Sequence, residues 1–246
     1  MLPNKTSYHR AGVFLVTFLV VIGCATQPKK PEPVSEQARS RTEWEALNKE
    51  IGELYRAGEY DRAIAVAQRA VEVAEKSGGP NHPDVAQSLS DLAVLYSTQR
   101  QPAQAEPLFK RALEIRETAL GPDHPFVAQS LSNLGVFYTR QRQYAQAEPL
   151  FKRALAIREK VLGLNVPAVA DSLNDLAGLY AAQGQYATAE PLFKRALTIR
   201  ENTLEPDDPL LAESLKSLAA LYRATKRGKE AEPLEQRAAQ IQDTQR

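Results

Sequence analysis

Few side chains in this sequence have the chemistry of a catalytic or metal-binding group. The 246 residues include one cysteine and three histidines, so a disulfide or a cysteine-based metal site has no partners to use. His82 and His124 lie 42 residues apart, but Val166 and Asp208 follow at the same interval. A position that accepts valine and aspartate is typical of a turn and not of a catalytic base. Because phosphate-binding loops, nucleophile elbows and zinc-protease motifs are also missing, we expect no enzymatic activity, cofactor or metal.

The single cysteine, Cys24, follows a segment with the features of a secretory signal. Lys5 and Arg10 supply positive charge, residues 11–22 are largely apolar, and a small residue precedes the cysteine. This run is shorter than the about 20 residues of a membrane-spanning helix. The segment 21–24, Val-Ile-Gly-Cys, resembles the bacterial lipobox, which implies acylation of Cys24 as the mature N-terminus. The alternatives are an uncleaved signal anchor and an ordinary signal peptide in which Cys24 has no role.

The residues after the cysteine have a different composition. Residues 24–40 lack a hydrophobic period and contain Pro28, Pro31 and Pro33, so we expect an extended tether between a lipid anchor and the folded part. Ala25 follows the cysteine, and by analogy with enterobacterial sorting this alanine favours the outer membrane over the inner one. The predicted location is the cell envelope, with the chain anchored in the lipid bilayer and facing the periplasm.

The charge of the chain gives no reason to expect nucleic acid as a partner. From Cys24 onward there are 29 basic and 30 acidic residues. A protein that binds nucleic acid needs a basic face to neutralise phosphates. The hydrophobic content of 43% is enough for a folded core.

The rest of the chain is dominated by a repeat of 42 residues. Three sets of residues recur at this interval, which are Pro83, Pro125, Pro167 and Pro209; Tyr96, Tyr138, Tyr180 and Tyr222; and Leu108, Leu150, Leu192 and Leu234. Residues 51–55 and Ala63 fit the same frame after a one-residue deletion. The sequence therefore contains five repeats, of which the first is shorter.

Within each repeat, apolar residues recur at three- and four-residue steps, which is typical of amphipathic helices. In the second repeat, one stripe contains Val85, Leu89 and Leu92, and another runs from Ala105 to Ile115. Each first helix opens with a proline, at a position where its missing N–H has no intrahelical partner. Each hairpin leaves an apolar flank that only the next hairpin can cover, so the array is predicted to fold as a solenoid.

The repeat resembles the tetratricopeptide repeat. The pattern Leu-x2-Leu-[Ala/Gly]-x2-Tyr, followed by Ala, Phe and Ala, carries the resemblance. The 42-residue period and Ala-Glu-Pro-Leu-Phe-Lys-Arg-Ala-Leu segment are similar to the long form of kinesin light chains and many bacterial proteins. HEAT and armadillo arrays have similar periods without this spacing. The resemblance covers residues 42–243 and implies an all-α, right-handed superhelical solenoid of about five helical hairpins.

The predicted domain organisation follows from the signal and the repeats. It comprises a signal peptide at 1–23, a tether at 24–40, and five hairpins at 41–82, 83–124, 125–166, 167–208 and 209–246, the last with a capping helix. In the final hairpin Glu235 replaces a recurring phenylalanine, which suits a terminal repeat with a polar outer face.

The family resemblance further implies that the first helix of each hairpin lines a concave groove. Polar side chains there can hydrogen-bond an extended peptide. The predicted partner-binding residues are Lys49, Arg56, Gln87, Ser90, Asp91, Gln129, Ser132, Asn133, Arg140, Asp171, Asn174, Asp175, Lys216 and Arg223. For any one of them the alternative is an ordinary solvated helix face. Several central acids favour a basic or mixed ligand segment, and the Lys-Arg and Arg-Glu pairs of the second helices are expected on the convex, solvated face.

The leading hypothesis is a lipid-anchored adaptor that holds a peptide or protein partner in its groove at the bacterial envelope. Lipoproteins with such repeats take part in pilus secretin assembly, outer-membrane protein insertion and regulation of cell-wall hydrolases. Nothing in the sequence selects among these roles. The alternatives are a module that binds peptidoglycan or another glycan and an array that associates with itself.

Overall fold

The computed structural model describes residues 36–244, which are almost entirely α-helical and contain no β-strand. The helices are α1 (Glu36–Ala57), α2 (Tyr60–Gly78), α3 (Pro83–Thr98), α4 (Pro102–Leu120), α5 (Pro125–Arg140), α6 (Tyr144–Leu162), α7 (Pro167–Ala182), α8 (Tyr186–Thr203), α9 (Pro209–Ala224) and α10 (Gly228–Asp243). The predicted all-α class is confirmed. Cys24, the signal peptide and residues 25–35 of the tether lie outside the described residues, so the lipobox stays a prediction.

Consecutive helices pair into five hairpins, and each hairpin packs on the next. We call α1, α3, α5, α7 and α9 the first helices and their partners the second helices. This arrangement confirms the predicted solenoid of five helical hairpins. Helix α1 begins at Glu36, so the last part of the predicted tether, residues 36–40, is helical instead of extended. None of the helices within residues 36–244 is long and apolar enough to cross a membrane.

The turns between hairpins are closed by side chains that cap the first helices. His82 and His124 each accept a hydrogen bond through Nδ1 from the backbone N–H two residues later, at 3.2 and 3.1 Å, and Asp208 does the same through Oδ1 at 2.8 Å. Helix α7 follows Val166 and has no side-chain cap. An acceptor at this place satisfies an amide that the helix itself leaves unpaired. The turn histidines therefore act as helix caps, a role that aspartate also fills.

Small residues let the two helices of each hairpin approach closely. Ala93 and Ala177 are completely buried at equivalent places in α3 and α7. At the same place in α5, a Cβ added to Gly135 would lie 2.7 Å from Cε1 of Phe151. Gly178 is different, because a Cβ added there would meet no atom within 4 Å. Gly135 thus leaves room for the ring of Phe151, whereas Gly178 borders open space.

This contrast predicts opposite effects of the same substitution at the two glycines. Gly178→Ala should raise the free energy of unfolding by about 0.5–1 kcal/mol, because alanine is the better helix former. Gly135→Ala should lower it by about 1–2 kcal/mol, because the methyl group overpacks the core against Phe151. Urea unfolding followed by far-UV circular dichroism measures both changes. Effects of the same sign would contradict the packing described here.

Candidate partner-binding groove

The first helices lie on the inner side of the curved array. Cα atoms of α3 contact α5, those of α5 contact α7, and those of α7 contact α9. Within residues 36–244, no two successive second helices make comparable contact. The first helices therefore approach one another more closely and form the concave face, which we call the groove.

Three arginines from second helices lie beneath the groove, of which Arg116 and Arg200 are buried and Arg158 is partly buried. Arg116, Arg158 and Arg200 recur at the 42-residue period in α4, α6 and α8. Arg116 is 2% exposed and Arg200 is 3% exposed. Burying a guanidinium group is costly unless its N–H groups find acceptors. The hydrogen-bond partners of each arginine therefore show which helices it holds in register.

Arg116 and Arg200 reach their partners in the same way. Nη1 of Arg116 donates to Oγ of Ser130 at 2.8 Å and to the carbonyl of Phe126 at 3.3 Å, both in α5. Its Nη2 donates to Oε1 of Gln87 in α3 at 2.7 Å. Each of these arginines thus links its own hairpin to the next one.

The equivalent contacts of Arg200 are equally short. They join Nη1 to Oγ of Ser214 at 2.8 Å and to the carbonyl of Leu210 at 2.7 Å, and Nη2 to Oδ1 of Asp171 at 2.6 Å. The carboxylate of Asp171 also balances the buried charge. Burial of Arg200 is therefore compensated by a charged partner, whereas Arg116 has the neutral amide of Gln87.

Arg158, at the centre of the array, departs from this pattern. Its Nη1 donates to Oγ of Ser172 and to Oγ of Ser132, the latter at 3.2 Å. The residue that corresponds to Gln87 and Asp171 is Gln129, and its side chain is exposed. The central arginine therefore bonds Ser132 within the groove.

The contacts beneath the groove correct two expectations from the sequence. The arginine of each Arg-Glu pair was expected on the convex, solvated face, but its side chain lies between hairpins. Ser90 and Ser132 were expected to line the groove, but they are 2% and 6% exposed. Ser90 donates to the carbonyl of Ala86 at 2.8 Å and Ser132 accepts from Arg158, so their hydroxyl groups serve the fold.

The Lys-Arg pairs lie on the outer surface, as expected. Lys110 is exposed, and Arg111 pairs with Glu75 of the preceding second helix at 2.8 Å. Equivalent pairs are Arg153–Glu117, Arg195–Glu159 and Arg237–Glu201. Such partly exposed ion pairs contribute little to stability individually. They repeat along the outside of the array as a second contact between neighbouring hairpins.

The first hairpin uses a different donor where an arginine would lie. Ala74 occupies the place that corresponds to Arg116, so it cannot reach Ser88. Instead, Nε1 of Trp44 in α1 donates to Oγ of Ser88 at 2.8 Å. The sequence has one tryptophan, and its indole therefore completes the row of buried serine contacts at the beginning of the solenoid.

The central part of the groove contains an open pocket of about 340 Å³ between α5, α7 and α9. Among the predicted residues, the pocket brings together Arg140, Asn174 and Asp175. It is also lined by Val136, Thr139, Phe151, Gly178, Leu179, Phe193, Glu213 and Ser217. The floor is apolar and the rim is polar, which suits an amphipathic ligand group.

Two polar groups of this pocket are poorly satisfied within the protein. Oδ1 of Asn174 is buried and has no hydrogen-bond partner. Burial raises the pKa of Asp175 to about 7, although the positive charge of Arg158 and a hydrogen bond with Ser132 act in the opposite direction. The negative charges of Asp171 and Glu213 add to the rise. The pocket therefore offers acceptors that a ligand with hydrogen-bond donors would satisfy.

The other predicted residues lie elsewhere along the groove. Lys49 lines a separate hollow of about 480 Å³ between α1 and α2. Asn133 lines a smaller one of about 90 Å³, which it shares with Arg140. Arg56, Gln129 and Lys216 are exposed on α1, α5 and α9.

Asp91 and Arg223 are two further predicted residues that intramolecular contacts hold in place. The amide of Gln87 donates to both carboxylate oxygens of Asp91 at 3.0 Å, and burial raises the pKa of Asp91. The guanidinium group of Arg223 donates to both carboxylate oxygens of Glu235, at 2.9 and 2.6 Å. Glu235 is thus partly buried against Arg223. In the last hairpin it forms an ion pair with Arg223 in addition to making the surface polar.

The fold and the groove define an α-solenoid of the class that binds other proteins on a concave face. Models of the tetratricopeptide repeat match residues 45–118, 101–160 and 168–244. The chain therefore belongs to the tetratricopeptide repeat family. Among curated protein sequences, none matches the chain.

Solved structures with the same fold include the nearly identical repeats of a protein described as a kinesin light chain from Podosopora anserina. That protein is 25% identical, with a TM-score of 0.65, over 86% of this chain and 99% of its own. BtubC from P. vanneervenii is 23% identical, with a TM-score of 0.65, over 85% and 90% of the two chains. PilF of Pseudomonas aeruginosa is 19% identical, with a TM-score of 0.59, over 82% and 78%.

Because Arg116 is buried and hydrogen-bonded, we expect its substitution to lower the stability of the protein strongly. Arg116→Met should lower the free energy of unfolding by about 2–4 kcal/mol, because Ser130, Gln87 and the carbonyl of Phe126 lose their donor. The matched control is Arg111→Met, which removes an exposed ion pair and should cost less than about 1 kcal/mol. Chemical unfolding followed by circular dichroism compares them. Equal losses in the two variants would show that burial of Arg116 is not important.

The raised pKa of Asp175 predicts that the stability of the protein depends on pH. Its pKa is about 7 in the folded chain and about 4 in an unfolded one. Between about pH 4 and pH 7 the carboxyl group is therefore protonated in the folded state and ionised in the unfolded state. The free energy of unfolding should therefore fall as the pH rises from 4 to 7 and then level off. Asp175→Asn should remove this contribution, and the variant should gain stability relative to the natural protein as the pH rises.

Urea unfolding at pH 5 and pH 8 tests the prediction. Glu205→Gln, which changes an exposed carboxylate in the turn before α9, serves as the control. A difference between Asp175→Asn and the natural protein that is the same at both pH values would contradict the raised pKa.

Proposed function

We propose that this protein is a lipid-anchored scaffold that binds a peptide or protein partner in its groove at the bacterial cell envelope. The observation that carries the proposal is the open pocket between α5, α7 and α9, with an apolar floor and a polar rim. An extended peptide can lie across the first helices and place a side chain in this pocket. The protein would then act by holding its partner in place, without catalysis.

The anchor in this proposal is Cys24, which the sequence places at the end of a lipobox-like segment. Helix α1 begins at Glu36, and a chain of this length spans at most about 40 Å. An acylated Cys24 would therefore keep the start of α1 within that distance of the anchor. Since one acyl chain gives only reversible attachment, stable anchoring requires the multiple acylation of a bacterial lipoprotein.

A peptide fits the pocket better than a glycan does. Sugar binding commonly uses aromatic rings whose faces are open to the ligand. The aromatic residues of the pocket, Phe151 and Phe193, are 1% and 5% exposed, so they form a floor and offer no stacking surface. Self-association is the remaining alternative, and it predicts a solution mass that rises with protein concentration.

Site-specific photocrosslinking in cells tests the proposal. A photoreactive residue in place of Arg140, at the rim of the pocket, should give an adduct with a defined protein. The same residue in place of Lys152, which is exposed on the second helix α6, should not give that adduct. The Cys24→Ala variant should leave the membrane fraction and lose the adduct if the partner is also envelope-bound.

Each part of the proposal can fail separately. An adduct with glycan or with a second copy of the chain, or identical products from positions 140 and 152, would overturn binding of a partner protein in the groove. Retention of the Cys24→Ala variant in the membrane at unchanged size would overturn the lipid anchor and leave the groove unaffected.

A further inference from the structure

We infer that the pocket between α5, α7 and α9 is a specificity pocket for a lysine side chain of the bound partner segment. The inference rests on the proposed function, because it names the chemistry of the group that the groove would select. It is carried by the shape of the pocket at Gly178, by its apolar floor and by the acceptors on one of its walls.

The shape of the pocket depends on a glycine that breaks the repeat. Gly178 occupies the place of Val94 in α3, Val136 in α5 and Ala220 in α9. A Cβ added to Gly178 would meet no atom within 4 Å, so the missing side chain leaves a recess in the surface. Because α3 and α5 have a valine and α9 has an alanine at this place, packing of the solenoid does not require the glycine.

The floor of the pocket suits an aliphatic chain. Val136, Leu179 and the edges of two buried phenylalanines line it. The four methylene groups of a lysine can lie along such a surface while the ammonium group reaches a polar region. Burial of the methylene groups would contribute the nonspecific part of the binding energy.

The polar wall provides acceptors and negative charge. Asn174 and Asp175 belong to α7, and Glu213 belongs to α9. Oδ1 of Asn174 has no hydrogen-bond partner in the protein. An ammonium group has three donors that can point in different directions, which matches acceptors contributed by two helices. Its charge would also stabilise the carboxylate of Asp175, which burial disfavours.

Other side chains match this pocket less well. An aliphatic group without a donor would cover the carboxylate of Asp175 without satisfying it, which is costly. An acidic group would be repelled by Asp175 and Glu213. Arg140, on the α5 side of the pocket, offers donors to backbone carbonyls of the partner, so the cation is placed toward α7 and α9.

Titration of the folded protein with short model peptides, followed by amide chemical shifts in NMR spectra, tests the inference. The probes are acetyl-Gly-Gly-X-Gly-Gly-amide with lysine, norleucine or glutamate at X, at pH 8. The lysine peptide should cause saturable shifts at Gly178 and its neighbours in α7. The norleucine and glutamate peptides should bind about tenfold more weakly, since they lack the charge-assisted hydrogen bonds.

Two matched variants localise the binding. Gly178→Val fills the recess with the side chain found at this place in α3 and α5, and it should weaken lysine-peptide binding about tenfold or more. Ala220→Val makes the same kind of change one repeat later, outside the pocket, and should leave binding unchanged. Unfolding midpoints of both variants confirm that they are folded.

Several results would overturn the inference. They are the absence of saturable shifts at α7 with the lysine peptide, equal binding of the norleucine peptide, and unchanged affinity of Gly178→Val. An adduct at position 140 but not 152 in the photocrosslinking experiment would still support partner binding in the groove. Failure of the lysine pocket and failure of the proposed scaffold function are therefore distinguishable.

Discussion

The architecture depends on how a charged side chain is buried between neighbouring hairpins. Arg116 and Arg200 are almost fully covered, and a guanidinium group in that position is stable only where most of its donors find acceptors. Both terminal nitrogens of Arg200 do so, whereas its Nε has no partner. The acceptors of the two arginines come from two successive first helices and from the carbonyl of residue 126 or 210 at the start of the next helix. A slip of either helix would break several of these bonds at once. The network therefore fixes the register of the helices that form the groove, in addition to the apolar contacts that any solenoid shares.

The same network decides which groove residues are available to a partner. Gln87 and Asp171 are occupied by buried arginines on either side of the centre. Arg158 keeps the bond to Ser172, which matches those to Ser130 and Ser214, but its other partner is Ser132 and Gln129 is left exposed. Polar groups of α7 thus remain without full compensation where α5, α7 and α9 meet. The pocket and the unpaired Oδ1 of Asn174 therefore lie where the repeating network is interrupted.

The helical hairpins could be predicted because packing requires the same residue types at the same interval in every repeat. Placement of individual groove residues could not, because it depends on side chains that approach from another helix. Ser90 and Gln129 both belong to first helices, yet one is buried and the other is exposed. The buried arginines were missed because arginine is usually found on the surface. Their recurrence together with Ser130, Ser172 and Ser214, always 14 residues later, was the signal that could have revealed them.

Departures from the repeat carry most of the information about function. Residues that pack against the neighbouring hairpin must recur, since every internal hairpin meets an equivalent neighbour. Two exceptions lie in the first and last hairpins of the described residues: Trp44 takes the place of an arginine in the contact with Ser88, and Glu235 pairs with Arg223. Gly178 lies inside the array, so an end effect cannot explain it. A glycine at this place lowers the stability of α7 without improving the packing. Such a loss of stability is expected where the space is needed to bind a ligand.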